Sequence, residues 1–423
     1  MACHWAVAAV VSVLRGVRRH VGSRLIAACA FAAALALHAQ AGAQAPAGSI
    51  YVQCPGDTNG DAIPDAGADP NVRCAHLTAG DGFVTMADGR RLYMFGFSDI
   101  TGEPASQAMD IGALAANFPA PTIKLQEGNE FYLNLSNVGM VMRPDLFDPH
   151  SVHFHGFPQA APVFDGVPES SVVVNMGSSF TYYYKIVEPG TYMYHCHVEA
   201  TEHMQMGMLG NLYVEPRQNQ CGTSANPDLC PAGFAPGTKY VYNDGDGSTA
   251  YDVEYPIQIG SFDPDFHDAS ENVQPLPFAS MRDRYPMLNG RGYPDTVNTA
   301  VMSTDTDRGP KPSQPVHSLI TASPGQRVLL RLSNLNVTRF YTLASTLPMQ
   351  VVGHNARLHR GPTGTNLYYT TNAVTLGGGE SIDVILDTSG LAAGRYLLYT
   401  TNLNYLSNDG QDFGGMMTEI RIQ

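Results

Sequence analysis

The sequence predicts an all-β protein made of two related β-sandwiches. Three observations carry this. The 423 residues include 42 Gly and 29 Pro, a turn-rich composition that disfavours long helices. Short segments of alternating apolar and polar residues recur between Gly and Asn turns, the period-two pattern of half-buried strands. And one phrase occurs twice: EGNEFYLNLSN at 127–137 and PGQRVLLRLSN at 324–334 share a turn, an alternating strand and a closing Ser-Asn. The length suits two or three domains with ample core.

Residues 1–43 read as a signal peptide and not as fold. Arg15, Arg18, Arg19 and Arg24 precede an apolar run from Leu25 to Leu37, and small residues at 41–43 offer cleavage before Gln44. The run is too short to span a bilayer, so the expected location is periplasmic or secreted, with no membrane span. Residues 44–83 form an Asp- and Gly-rich segment. Its DTNGDAIPD stretch places Asp57, Asn59, Asp61 and Asp65 as oxygen ligands on a tight loop, a candidate calcium site. Strand patterning begins near 84. TIKLQEGNEFYLNLSNV, SVVVNMGSSFTYYYKI, GTYMYHCH and MLGNLYVEP supply the strands of a first domain over 84–215. Residues 216–250 read as a linker. A second strand-rich domain follows over 251–423, from VEYPIQIG to GRYLLYTTN.

Charge and cysteines narrow the function. A net charge of -14 repels phosphates and argues against nucleic-acid binding. Beyond the signal there are five Cys: Cys54, Cys74, Cys196, Cys221 and Cys230. In an oxidising compartment Cys54 with Cys74, and Cys221 with Cys230, make local disulfides. Cys196 is left over, and it stands between two His.

That neighbourhood is the chemical centre of the sequence. YHCHVEATEHMQMGM, at 194–208, gathers three His, one Cys and three Met. Upstream, HSVHFHG supplies His150, His153 and His155. Alternate residues of a strand share a face, so His153 pairs with His155, and His195 with His197, while Cys196 points the other way. One strand therefore serves two metal sites. His150, Cys196, His203 and Met208 make a two-His, one-Cys set with a weak axial thioether, which favours a mononuclear blue copper that moves electrons. The four imidazoles of His153, His155, His195 and His197 suit a second copper site. A structural zinc explains the ligand types but not the two faces. Met204 and Met206 read as loop packing. Asp165 and Glu199 are candidate proton carriers beside the motifs.

These two stretches resemble the copper-binding motifs of the multicopper oxidases, the laccase-like family. FPAPTIKLQEGN and YPMLNGRGYP resemble further segments of it. The resemblance implies cupredoxin-like Greek-key β-sandwiches. It implies a type 1 copper on His150, Cys196, His203 and Met208. It matches His153 to a type 2 ligand, and His155, His195 and His197 to type 3 ligands. It also implies a phenolic or metal-ion electron donor, with O₂ as acceptor. Two departures stand out. Six residues separate Cys196 from His203, so the loop is longer than in ordinary laccases. The family's oxygen-reducing cluster draws on four H-x-H motifs, and this chain has two. His267, His317, His354 and His359 of the second domain form none. That domain has no Cys and is expected to be copper-free. A homo-oligomer is thus expected to complete the cluster. The alternatives are a relative of copper nitrite reductases, or a non-catalytic copper or electron carrier.

Overall fold

A computed structural model describes residues 53–158, 160–222 and 234–423. The signal segment and the Cys221–Cys230 pairing lie wholly or partly outside the described residues. No helix among them is long and apolar enough to cross a membrane.

The first domain is a sandwich of two four-stranded sheets. Strands β1 (Val72–Thr85), β2 (Arg91–Asp99), β4 (Glu130–Gly139) and β6 (Ser179–Lys185) form one, in the order β2-β1-β4-β6. Strands β3 (Ala120–Gln126), β5 (His153–His155), β7 (Gly190–His195) and β8 (Leu209–Glu215) form the other, ordered β3-β8-β7-β5. The facing sides bury Phe95, Phe97, Leu133, Tyr182, Tyr184 and Tyr194 in one core.

The second domain repeats the first arrangement. Its strands Tyr285–Leu288, Val253–Phe262, Arg327–Asn334 and Glu380–Asp387 lie side by side with antiparallel, parallel and antiparallel pairing. This is the pattern of β2-β1-β4-β6. The two halves of the repeated phrase occupy the same position, β4 in one domain and Arg327–Asn334 in the other. The second domain does not separate into two sheets. The long strand Tyr341–His354 pairs with Glu380–Asp387 near one end and with Gly394–Thr400 near the other, joining both layers. Its register on Tyr369–Leu376 jumps between Ala344 and Met349, where Pro348 supplies no N–H to a ladder.

Two expected boundaries move. The first sheet starts at Val72 and not near 84, because β1 runs through the segment expected to precede the domain. Gly80 and Asp81 disguise it as loop. A Cβ at Gly80 would lie 2.7 Å from Val138, so glycine permits the close approach of β4. Asp81 is buried and accepts from Tyr93 Oη at 2.9 Å and from the Met142 N–H at 2.8 Å. Cys54 and Cys74 form the expected disulfide, fastening the Asp-rich loop to β1. The other boundary is the linker. Val241, Tyr242 and Tyr251 pack into a cluster with Leu329, Val352 and Ile385 of the second domain. Tyr242 Oη also donates to Asp383 at 2.5 Å. Aromatic burial makes the part of this stretch around Val241 and Tyr242 a piece of the second domain's wall.

A buried ion network joins the domains. Arg331 is fully buried, 3.0 Å from Glu254 and 3.8 Å from Asp383. Its guanidinium stacks 4.5 Å from the Tyr213 ring on β8 and donates to Thr191 Oγ1 on β7. Burial raises the pKa of Glu254, but Arg331 and Lys124 outweigh it and hold it at about 2. Arg331→Met leaves buried carboxylates without this cation and is expected to cost about 3 kcal/mol in urea unfolding at pH 7. A carboxylate with a depressed pKa stabilises the fold above its unfolded value. The wild type should therefore lose the Glu254 contribution as pH falls from 4.5 towards 2, with a weaker dependence in the variant.

Candidate metal centre

Strands β5 and β7 bring the two motifs together. They pair antiparallel with His153 opposite His195 and Phe154 opposite Tyr194. Phe154, between the two His, is 1% exposed and stacks on Tyr184 at 4.0 Å. Burying such a ring is worth about 2–3 kcal/mol. That anchor turns His153 and His155 to the opposite face. Tyr194 and Cys196 likewise point into the core, and His195 and His197 away from it.

On the core side, Cys196 Sγ lies 3.2 Å from His203 Nδ1 and 3.8 Å from His150 Nδ1. All three residues, and Met208, are 0% exposed. Met208 is tied by its backbone to both partners: it donates to the His203 carbonyl at 2.8 Å and accepts from the Cys196 N–H at 3.1 Å. The Ser151 N–H points at Cys196 Sγ from 3.4 Å. Nε2 of His150 and of His203 is buried without a hydrogen-bond partner, and Asp148 stands 3.8 Å from the latter. Burial and His203 push the pKa of His150 well below its ordinary value. Burial lowers His203 too, but Cys196 and Asp148 outweigh it and raise His203 to about 10. The thiol side thus attracts positive charge into a sealed site. A cysteine sulfur, two imidazole Nδ1 atoms and a buried thioether form a soft donor set that fits copper.

On the other side, His153, His155 and His195 each place one ligand atom within 4.8 Å of the others. The His197 ring lies 5.1 Å from that of His153 and stacks 5.6 Å from that of His195. His195 Nδ1 donates to the Cys196 carbonyl at 2.8 Å, and His153 Nδ1 to the Asp165 carbonyl at 2.6 Å. Both therefore leave Nε2 unprotonated, with its lone pair turned to the shared space. Nε2 of His195 faces His155 Nδ1 across 3.2 Å. Burial lowers the pKa of His153 and His155, and that of His195 to about 3, with the crowded imidazoles adding to it. Neutral imidazoles sharing a space are ready to bind a cation.

They line a cavity of about 370 Å³. Its roof is the long Cys196–His203 loop, which folds into helix α1 (Ala200–Gln205) and places Ala200, Thr201 and Met204 over the imidazoles. Met206 lies in the core. Asn336 and Gly379 of the second domain close another side. Gly379 has φ +88°, and a Cβ there would stand 2.6 Å from His155 Nε2.

The other sequence-predicted candidates do not join these groups. The Asp-rich loop turns its oxygens on its own backbone. Asp57 accepts from the N–H groups of Asn59, Gly60 and Ala62, and Asp65 from Thr58. It forms no three-ligand group among the described residues. Asp165 serves His153 chiefly through its carbonyl. The Glu199 carbonyl accepts from the N–H groups of Glu202 and His203 at the start of α1. His317, His354 and His359 join no such group. Ser151 and Asp148 were missed. Ser151 also accepts from the His197 N–H at 3.2 Å, touching both faces, and its only sequence signal is its place after His150.

Comparison with known proteins relates the domain that carries both motifs to a family. The multicopper oxidase family model matches residues 99–219. Multicopper oxidase MCE of Talaromyces pinophilus is 32% identical over 120 residues, 28% of this chain and 18% of that protein. Laccase abr2 of Aspergillus fumigatus is 33% identical over 122 residues, 28% and 19% of the two chains. The match thus spans less than a fifth of these relatives. The fold of most of the chain is shared with the blue copper oxidase from Nitrosomonas europaea, with a TM-score of 0.59, 21% identity, and coverage of 82% of this chain and 85% of that one.

Gly379→Ala is expected to drive His155 from its place and to weaken copper binding at the imidazole face by roughly tenfold. The visible thiolate absorption should be unchanged, as metal analysis and a spectrum of one sample would show.

Proposed function

We propose that this chain, whose residues 99–219 match the multicopper oxidase family model, is an exported copper-dependent oxidase. It takes single electrons from a phenolic or metal-ion donor at a type 1 site and passes them to O₂ at the imidazole face. The observation that carries this reading is the two-faced strand end: Cys196 in one site, flanked by His195 and His197 in the other.

Copper, a cofactor of this family, supplies reversible one-electron transfer when bound. His150, Cys196, His203 and Met208 would hold the type 1 ion. His153, His155, His195 and His197 would hold the copper that meets the acceptor. The residues between the sites do the rest. The Cys196 peptide connects them directly, because its sulfur lies in one site and its carbonyl accepts from His195 Nδ1 of the other. Ser151 makes a second connection through its N–H and its hydroxyl. Asp148 accompanies His203 Nε2, the nitrogen turned away from the thiol. Core packing around His150 and His203 keeps water from the thiol.

Four imidazoles are half of the family's set, so a second protomer is proposed to bring the rest. The compact His153–His155–His195 group favours one other reading, a single copper at that face as in a nitrite reductase relative. Copper per chain separates them: one for a carrier, two for the reductase reading, more than two for the oxidase oligomer.

Cys196→Ser should abolish the intense blue band of copper-loaded protein. His153→Ala should leave the band and lower O₂ consumption by at least about tenfold. A wild type that is colourless when oxidised and fully loaded would refute the type 1 assignment. Activity that falls on dilution while the colour persists supports the oligomer; full activity from a strict monomer refutes it.

A further inference from the structure

Helix α2 (Pro264–Glu271) belongs to the second domain, yet its imidazole faces the first. His267 is 0% exposed. Its Nδ1 lies 2.6 Å from the Tyr93 carbonyl on β2, and its Nε2 lies 3.0 Å from the Gln205 carbonyl. The Phe262 ring, 4.4 Å away, holds the imidazole in place. Asp263 caps the helix by accepting from the Asp265 N–H, and so fixes the start of the turn that carries His267.

Gln205 sits between His203 and Met208. Its side chain also reaches the second domain, donating to Asp283 at 3.0 Å. The next carbonyl, that of Met206, accepts from the Phe95 N–H at 2.9 Å. The loop that spaces two proposed copper ligands is therefore pinned from outside at consecutive residues. Most of the pinning comes from a domain with no copper ligand of its own. Carbonyl oxygens only accept, so the full bridge uses both ring N–H groups. Burial, the largest influence, lowers the basicity of this ring; the two carbonyls, Asp263 and Asp268 oppose it. In the neutral form the ring donates to one carbonyl and abuts the other, and it remains a rigid spacer between β2 and the loop.

We propose that His267 is a positioning residue of the type 1 centre, setting the separation of His203 and Met208 from the second domain by holding the Gln205 peptide against β2. The proposal rests on the type 1 reading above. It gives the second domain a part in the chemistry beyond covering the imidazole face.

The test compares full-length, copper-loaded wild type with His267→Phe, which fills the space without a donor, and His267→Gln, which keeps one donor. Copper per chain, the visible thiolate band, the electron paramagnetic hyperfine splitting and the midpoint potential are measured on each, together with donor oxidation. The Phe variant should keep its type 1 copper but shift band, splitting and potential. Its kcat should fall roughly tenfold at unchanged KM for the donor. The Gln variant should recover part of each. If the Phe variant does not fold, the Gln variant decides by the same spectra. Wild-type band, splitting and potential in the folded variants overturn the proposal. A colourless wild type refutes the type 1 reading, and the proposal with it.

Discussion

Period-two alternation at the end of β7 is the constraint on which the site depends. A strand cannot turn two consecutive side chains to one face. Placing Cys between two His therefore creates two environments a single peptide apart. Everything near the strand end respects this division. Phe154 and Tyr194 enter the core beside the thiol, and the imidazoles of β5 and β7 gather outside it. The backbone of Cys196 closes the arrangement, with its N–H on Met208 and its carbonyl on His195.

The two environments differ in electrostatics as well as position. Burial discourages protons on the imidazole face, so His195 keeps its ring neutral. The thiol side draws positive charge towards His203 through Cys196 and Asp148. The sites therefore differ in character, crowded neutral donors in one and a buried sulfur and carboxylate beside His203 in the other. Packing by the second domain keeps that contrast. Gly379 lies against His155, and the Arg331 network fastens β7 and β8 from behind.

What the sequence disclosed follows from how local each signal is. The candidate ligands sit in two short motifs whose alternation is visible directly, and the structure brings together His150, Cys196 and His203, and His153, His155 and His195. The repeated phrase likewise marked equivalent strands of both domains. Other features had no local signal. β1 carries Gly80 and a buried Asp81, residues that read as loop until Val138, Tyr93 and Met142 are seen beside them. Residues 216–250 read as linker because the partners of Tyr242 lie far along the chain. The Asp-rich loop carries a signal with two readings. Its spacing suggests a cation, while the same spacing lets its carboxylates cap their own turns. His267 matched no motif, since its role depends on two carbonyls from another domain.

Every side chain proposed to touch the type 1 ion lies between residues 150 and 208, whereas the imidazole that braces their loop stands at 267. Synthesis delivers the ligands first. Metal capture and the final setting of the loop are therefore separable in time, and they are separable in heredity too. On that proposal, substitutions on α2 alter how the centre behaves without removing a proposed ligand, so its electron chemistry is tuned from a stretch outside both ligand motifs.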